Sequence, residues 1–494
     1  LVLDNFEQIL PAAPLVSALL NGCRRLKVLV TSRAPLHLYG EQEFPVPPLA
    51  LPNVKHLTAN LNEYAAIELF CQRAKAVKPD FTLTPDNAAD IAKICIGLDG
   101  LPLALELAAA RIKLFSPLAL LARLDQRLSL LTGGSRDMPT RQRTLRDEIA
   151  WSYDLLTAAE QKLFRRLAVF VGGFTLDAAQ AVSNANGDRT IDVLDGVATL
   201  VNQNLLKQQV EQRDGEPSFG MLETIRDYGL EQLTASGEAE IIRQRHANFF
   251  LALAEATEPE LLGARREQGL ARLEVELDNL RAALSWSQIP SRQDGGNRSE
   301  MGLRLAGALA WFAHFGNHFH AARGWLVAAL QRAGKPTAAR AKALWGVGLM
   351  AINQGDFISA HANLEESVTL WRTIGESRWV AIVLRELSLV AYLQHDFMTA
   401  QRYADESVAL WRTLDSPWDL ALALDNLAYP LAALGDPTTA RTLLEEEVAL
   451  YQVLDDAWGL TLALNGLGWI AAQQGDYTTA RAHLAEALVL RRAK

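Results

Sequence analysis

Two short apolar runs, Leu1-Val2-Leu3 and Val28-Leu29-Val30, each end abruptly in polar residues: Asp4-Asn5 after the first, Thr31-Ser32-Arg33 after the second. Continuously apolar segments this short, armed at their carboxyl ends, predict buried parallel strands. In open parallel sheets ligands sit at that end. A helical stretch to about Leu20 separates the two, and a further short run lies at Glu43–Leu49. The strand–helix–strand order predicts an α/β layer. Pro45, Pro47, Pro48 and Pro52 close it off, since a central strand does not tolerate them.

From 53 to 137 the pattern becomes helical, with Ala65, Leu69 and Arg73 along one helix. Asp86 stands where an N-cap would open a helix over Asn87–Ile96. After a break at 97–100, Leu101-Pro102-Leu103 starts another helix with proline in its first turn, where the missing N–H costs nothing. Gly133-Gly134-Ser135 reads as a linker. The segment 138–245 has winged-helix order. Thr144–Leu156 is one helix, and the capping box Thr157-Ala158-Ala159-Glu160 opens the next, through Val169. Gly172-Gly173 interrupts, and two helices follow over Leu176–Ser183 and Ile191–Asn202. Strands at Leu205–Glu211 and Ser218–Leu222 flank an Asp214-Gly215 turn that would be the wing, and Glu223–Leu233 resumes helix.

The remainder is helical: a spacer over 246–300, containing a polar linker at Ser291–Glu300, then repeats over 301–494. The period is 40 residues, with Asp356, Asp396, Asp436 and Asp476 in register. So are Ala360, Ala400, Ala440 and Ala480; Glu366, Glu406, Glu446 and Glu486; and Leu370, Leu410, Leu450 and Leu490. Glycine precedes the aspartate at Gly355, Gly435 and Gly475, and His395 replaces it once. A weaker earlier copy begins at Gly316-Asn317. Helix–turn–helix units with small residues at fixed register predict an α-solenoid of tetratricopeptide type.

Composition changes this picture little. The 494 residues are 49% apolar and 21% charged, an ordinary globular balance, and the formal charge of −9 does not favour a nucleic-acid partner. Cys23, Cys71 and Cys95 form no CxxC pair and read as buried thiols of a reducing cytosol. No apolar stretch is long enough to span a bilayer, and no secretion signal opens the chain. Expected location is cytoplasmic. Because the chain starts mid-strand and stops inside a helical pattern, both ends read as cut.

Three features carry candidate chemistry. Asp4, at a strand tip, suits a carboxylate that holds the water shell of Mg²⁺ against nucleotide phosphates; a buried strand ending in a polar turn looks the same. Arg33, at the next tip, offers a permanent bidentate charge for a terminal phosphate, or is a solvated loop arginine. Gly100-Leu101-Pro102-Leu103 could set a rigid ring against an adenine face, or merely start a helix. His314, His318 and His320 include an i, i+4 pair, but no acid stands at helical spacing, so they read as structural. The segment 190–206, spanning the helix Ile191–Asn202, contains Asp192 and Asp195 and no Lys or Arg, so direct DNA binding is not expected.

In this order and spacing, Leu1–Asn5, Thr31-Ser32-Arg33, Gly100-Leu101-Pro102-Leu103 and a following winged helix resemble the signalling ATPases of the STAND class, including the NB-ARC proteins of plant immunity and apoptosis. Met138–Leu233 looks most like bacterial regulators of the AfsR and LuxR-like ATPase type. The resemblance implies a mainly α chain: the C-terminal part of a P-loop α/β ATPase domain (1–52), a helical bundle (53–137), a winged helix (138–245), the spacer (246–300) and the α-solenoid (301–494). It implies ATP/ADP and Mg²⁺ as cofactors, with Asp4 as the Walker B acid, Arg33 as the phosphate sensor, and Gly100 and Pro102 at the adenine. Met221, Leu222 and Glu223 match the Met-His-Asp motif of NB-ARC members; leucine cannot donate to a phosphate, but Glu223 keeps an acid. Asn5 replaces a second acid found in many relatives, leaving Glu7 as the alternative base.

No GxxxxGK[ST] loop occurs, and Gly334-Lys335-Pro336 lacks both its earlier glycine and its hydroxyl. The expectation is an N-terminally truncated piece of a slow P-loop ATPase, inactive alone. The implied function is a nucleotide-dependent switch in transcription or signalling, whose solenoid senses a ligand or protein partner on its concave face and whose active form can oligomerise. Two alternatives stand beside it: a non-catalytic repeat scaffold with a vestigial ATPase remnant, and a regulator that binds DNA through its own winged helix.

Overall fold

Val2–Leu3 and Leu29–Val30 form the expected strands in the computed structural model, paired in parallel with Val2 opposite Leu29 and Leu3 opposite Val30. They are not buried as expected: Val2 and Leu29 are exposed, and only Leu3 and Val30 turn toward the core. The structure describes every residue except 24, 53–60, 125–144, 185–191, 210–215, 264, 291–296, 493 and 494. The expected linker at 133–135, the helix start at Thr144 and the Asp214-Gly215 turn lie outside the described residues, as does most of the linker at 291–300. The chain divides into two compact units, Leu1–Phe249 and Phe250–Lys494.

In the first unit the strands are joined through the 3₁₀ turn Phe6–Ala12 and the helix Ala13–Gly22, with Phe6, Ala13 and Val16 buried against the sheet. The run at Glu43–Leu49 is not a strand, because its three prolines remove the donors a ladder needs. Helices Ala65–Val77, Pro85–Gly97 and Pro102–Ala110 follow. The second is capped by Thr84, not Asp86: the Thr84 and Asn87 side chains bond reciprocally to backbone, and Pro85 takes the first helical position. Cys95 is buried, which pushes its thiol up to about 12, whereas Cys71 is half-buried and Cys23 is exposed, against expectation.

The winged segment comprises helices Leu145–Asp154, Ala158–Leu167, Leu176–Ser183 and Val193–Asn202, then Glu223–Ala235. Thr157 and Glu160 make the predicted capping box. Strands Lys207–Gln209 and Ser218–Gly220 are antiparallel, and a third, Phe174–Thr175, which the sequence pattern did not suggest, completes the sheet. Two residues are too few to establish an alternation, so only the pairing with Ser218–Gly220 defines that strand.

The second unit is helical throughout its described residues. Its four repeats pair Ala338–Asn353 with Phe357–Ile374, Ser377–Leu393 with Phe397–Leu414, Pro417–Ala433 with Pro437–Val453, and Ala457–Gln473 with Tyr477–Arg492. Each inner turn has one recipe. Gly355, His395, Gly435 and Gly475 take left-handed φ of 73°, 64°, 95° and 80°. The next aspartate then caps the second helix, its carboxylate accepting from the N–H of Ser359, Thr399, Thr439 or Thr479 at 3.0–3.2 Å. Ala360, Ala400, Ala440 and Ala480 are buried where the helices meet. The conserved-register glutamates lie on the surface, Glu406 and Glu446 pairing with Arg372 and Arg412 of the preceding repeat and Glu366 with Arg340. Each such pair adds at most about 1 kcal/mol.

Two substitutions at equivalent turn positions should therefore act in opposite directions. Gly435→Ala places a β-carbon in a left-handed residue and should cost about 1 kcal/mol, while His395→Gly should stabilise by about the same amount. Denaturant unfolding of the two variants measures both.

Candidate functional site

The two strand tips are held side by side. The Thr31 hydroxyl donates to Asp4 Oδ1, and the backbone N–H of Asn5 donates back to Thr31 Oγ1 at 3.0 Å. Asn5 is left-handed, with φ 55°, so the chain turns sharply out of the strand and leaves the Asp4 carboxylate exposed. Glu7 is nearly buried, with Oε1 3.9 Å from Arg33 Nε. Asp4, Asn5, Glu7 and Arg33 therefore share one sheet edge.

Arg33 also reaches the winged helix. Its guanidinium donates to Ser152 Oγ and lies over the Trp151 ring, 5.2 Å from the centroid. Its carbonyl accepts from Asn204 Nδ2 at 2.6 Å. Trp151 and Ser152 belong to the first winged-segment helix, and Asn204 follows the helix Val193–Asn202. Sequence reasoning missed all three, because they lie 118 to 171 positions away and no local pattern points to Arg33.

Gly100 and Pro102 form a second group. Gly100 has φ 65°, and a β-carbon there would come within 2.4 Å of the Leu49 carbonyl oxygen; Leu49 N–H in turn donates to Gly100 O at 3.0 Å. A cleft of about 360 Å³ opens beside it, lined by Leu49, Ala65, Glu68, Leu69, Gln72, Pro102 and Glu106. Neither Asp4 nor Arg33 is among the lining residues. The same turn touches the winged helix: Asp99 Oδ2 accepts from the N–H of Thr224 at 3.2 Å and its hydroxyl at 3.3 Å. Leu222 cannot cap the helix Glu223–Ala235, so Asp99 supplies a cap from outside. The neighbouring Glu223, the acid matched to the nucleotide-sensing motif, pairs its carboxylate with Arg226 at 2.8 Å.

In the second unit, the repeats bury an unusual polar set. Arg385 and Glu386 form an ion pair at 2.6 Å. Asp425 and Glu447 are buried, and Asp425 Oδ1 and both Glu447 carboxylate oxygens lack a hydrogen-bond partner. Burial pushes Asp425 up to about 7 and Glu447 up to about 10, the Asp425 charge adding to the latter. A break in the repeat could have flagged Glu447: its register positions in the first two repeats are Ser367 and Ser407. His314, His318 and His320 go to separate partners, Asn353, Glu274 and Gln354, each at 3.1 Å. Among the described residues no three His, Cys, Asp or Glu side chains converge to hold a metal ion, and no helix is long and apolar enough to cross a membrane.

Residues 156–234 match the family model of a winged helix-turn-helix domain, and 419–493 match that of a tetratricopeptide repeat. The chain therefore holds a winged helix-turn-helix domain and a tetratricopeptide-like α-solenoid. A Mycobacterium tuberculosis protein provisionally named an HTH-type transcriptional regulator is 40% identical over 352 residues, covering 70% of this chain and 37% of the relative. A Mycobacterium bovis protein described as uncharacterized is 40% identical over 248 residues, covering 50% of this chain and 60% of the relative. The chain thus spans between about a third and three fifths of the length of these relatives. Among solved structures, it is similar to a STAND protein with a tetratricopeptide repeat sensor from Pyrococcus horikoshii, at TM-score 0.30 and 15% identity over 99% of this chain and 80% of that one. It is also similar to BtubC from P. vanneervenii, at TM-score 0.38 and 19% identity over 45% of this chain and 91% of that one.

Two measurements follow from this geometry. Asp99→Ala removes the outside cap of the helix Glu223–Ala235 and should cost about 1 kcal/mol in urea unfolding. For the repeats, Asp425 rises from its ordinary 3.8 and Glu447 from its ordinary 4.5, so the folded chain holds protons that the unfolded chain has released. Their contribution to stability falls as pH rises, until about 7 for Asp425 and about 10 for Glu447. Glu447→Ser should raise the melting temperature, with a gain clearly larger at pH 9 than at pH 5; an equal gain at both would contradict the assignment.

Proposed function

We propose that this chain is the switch and sensor part of a nucleotide-dependent signalling protein of the STAND kind, acting in bacterial transcription regulation. The single observation that carries the reading is the engagement of Arg33, at the strand tip beside Asp4, by Ser152, Trp151 and Asn204 of the winged segment. A terminal phosphate reaching that edge would compete with Ser152 and Trp151 for the guanidinium, because bidentate binding to phosphate is the stronger contact. Nucleotide state would then set whether the winged helix stays docked. This is population shift by differential contact.

The residues fit the implied cofactors. An exposed carboxylate next to a threonine hydroxyl suits Mg²⁺, which keeps most of its waters and needs few protein ligands. Bound there, the ion would neutralise phosphate charge. Leu49, Leu69 and Pro102 offer apolar surface for the face of an adenine, with Gln72 at its edge. Glu7, turned toward Arg33, would serve as a base only after that arginine leaves for a phosphate. The exposed start of the helix Val193–Asn202 carries Asp192 and Asp195, which supports a packing role over direct DNA contact. The solenoid would bias the switch by binding a ligand or protein partner.

Nucleotide binding and turnover of the full-length protein test this. Asp4→Ala and Arg33→Ala should each weaken ATP binding tenfold or more, about 1.4 kcal/mol per tenfold. Ser152→Ala, which removes one of the contacts that hold the Arg33 guanidinium, should strengthen it. Unchanged affinity and turnover in both of the first two variants would sink the switch and leave a repeat scaffold.

A further inference from the structure

The third repeat departs from its neighbours at positions that share the 40-residue register. Where the first two repeats bury Ser367 and Ser407, whose hydroxyls donate to the carbonyls of Ala341 and Ala381 at 2.7 and 2.9 Å, the third buries Glu447. Trp371 and Trp411 give way to Tyr451, and on the partner helices Trp345 and Arg385 give way to Asp425. Packing of this fold asks for a small hydroxyl at the first position. A fully buried carboxyl in its place is a costly substitution that needs a compensating role.

The compensation is not supplied from within. Both Glu447 oxygens, Asp425 Oδ1 and the Tyr451 hydroxyl have no hydrogen-bond partner, and Glu447 and Tyr451 are 0% exposed. Arg385, whose charge acts on Asp425 and Tyr451, is already bonded to Glu386. Among the described residues, neither Asp425 nor Glu447 is ion-paired with it or with another cation. The aromatic members of the cluster are also suited to a cation: Tyr429, hydrogen-bonded to Asp425, stands between Tyr392 and Trp469, with ring centroids 5.9 and 5.2 Å away. Carboxylates flanked by aromatic faces recognise ammonium and guanidinium groups.

We propose that Asp425, Glu447 and Tyr451, with Tyr429 beside them, form a recognition site for an alkylammonium or guanidinium group carried by whatever the repeats sense. This deepens the sensor reading above, yet it is tested on the repeats and can fail while nucleotide binding at Asp4 and Arg33 stands. Without the cation, burial favours the protonated forms of both Glu447 and Asp425. A bound cation favours the ionised forms, so binding releases protons to the buffer.

Calorimetry of the intact chain at pH 7 provides the test, with agmatine as a free guanidinium and the peptide Gly-Arg-Gly as a protein-borne one, each in two buffers of different ionisation enthalpy. At least one probe should bind, with a buffer-dependent heat that reports proton release. Glu447→Ser and Asp425→Asn should each weaken it tenfold or more while retaining cooperative unfolding. Preference for agmatine assigns the site to a small molecule, and preference for the peptide assigns it to a partner protein. Binding of neither probe at millimolar concentration, or equal binding by wild type and Glu447→Ser, would overturn the proposal.

Discussion

A helix must end, and its last carbonyls must find donors; in this chain the answer is again and again a residue with left-handed backbone. In the repeats it is Gly355, His395, Gly435 or Gly475, followed at once by a capping aspartate. Between repeats it is Gly375, Asp415 or Asp455. That turn reverses the chain in a fixed number of residues, so the helices that follow meet in the same register each time. The 40-residue period, the buried alanines and the surface Arg–Glu pairs all depend on it.

The same conformation shapes the first unit, where its consequences are chemical. Asn5, Asp99 and Asn204 all have φ near +55°, and each places a polar group where an extended or helical residue could not. Asn5 turns the chain away from Asp4, Asp99 caps a helix of the winged segment, and Asn204 binds the carbonyl of Arg33. Both the strand-tip edge and the Gly100–Pro102 turn are thereby joined to the winged helix. The switch proposed above relies on these contacts.

The repeats also serve as controls for one another. Four copies of one packing problem separate what the fold needs from what a particular repeat has acquired. Small residues and the capped turn recur because helix contact demands them. Glu447, Asp425 and Tyr451 do not recur, and they raise the cost of burial in one repeat only.

Much of the architecture was legible along the chain. Periodicity marks the solenoid because each repeat repeats its local physics, and the Thr157–Glu160 box marks its helix start because capping is a contact over three residues. The parallel strands were legible from their apolar runs, whereas Phe174–Thr175 was not, having no pattern of its own. Asp4, Arg33 and Pro102 could be singled out by chemistry and position. What those residues touch was decided only by tertiary structure: Arg33 on Trp151 and Ser152, Asp99 on Thr224, Glu223 turned to Arg226. The reason is range. Propensity, capping and periodicity act within a few residues, while a guanidinium 119 positions from its hydroxyl partner meets it only once both elements have packed.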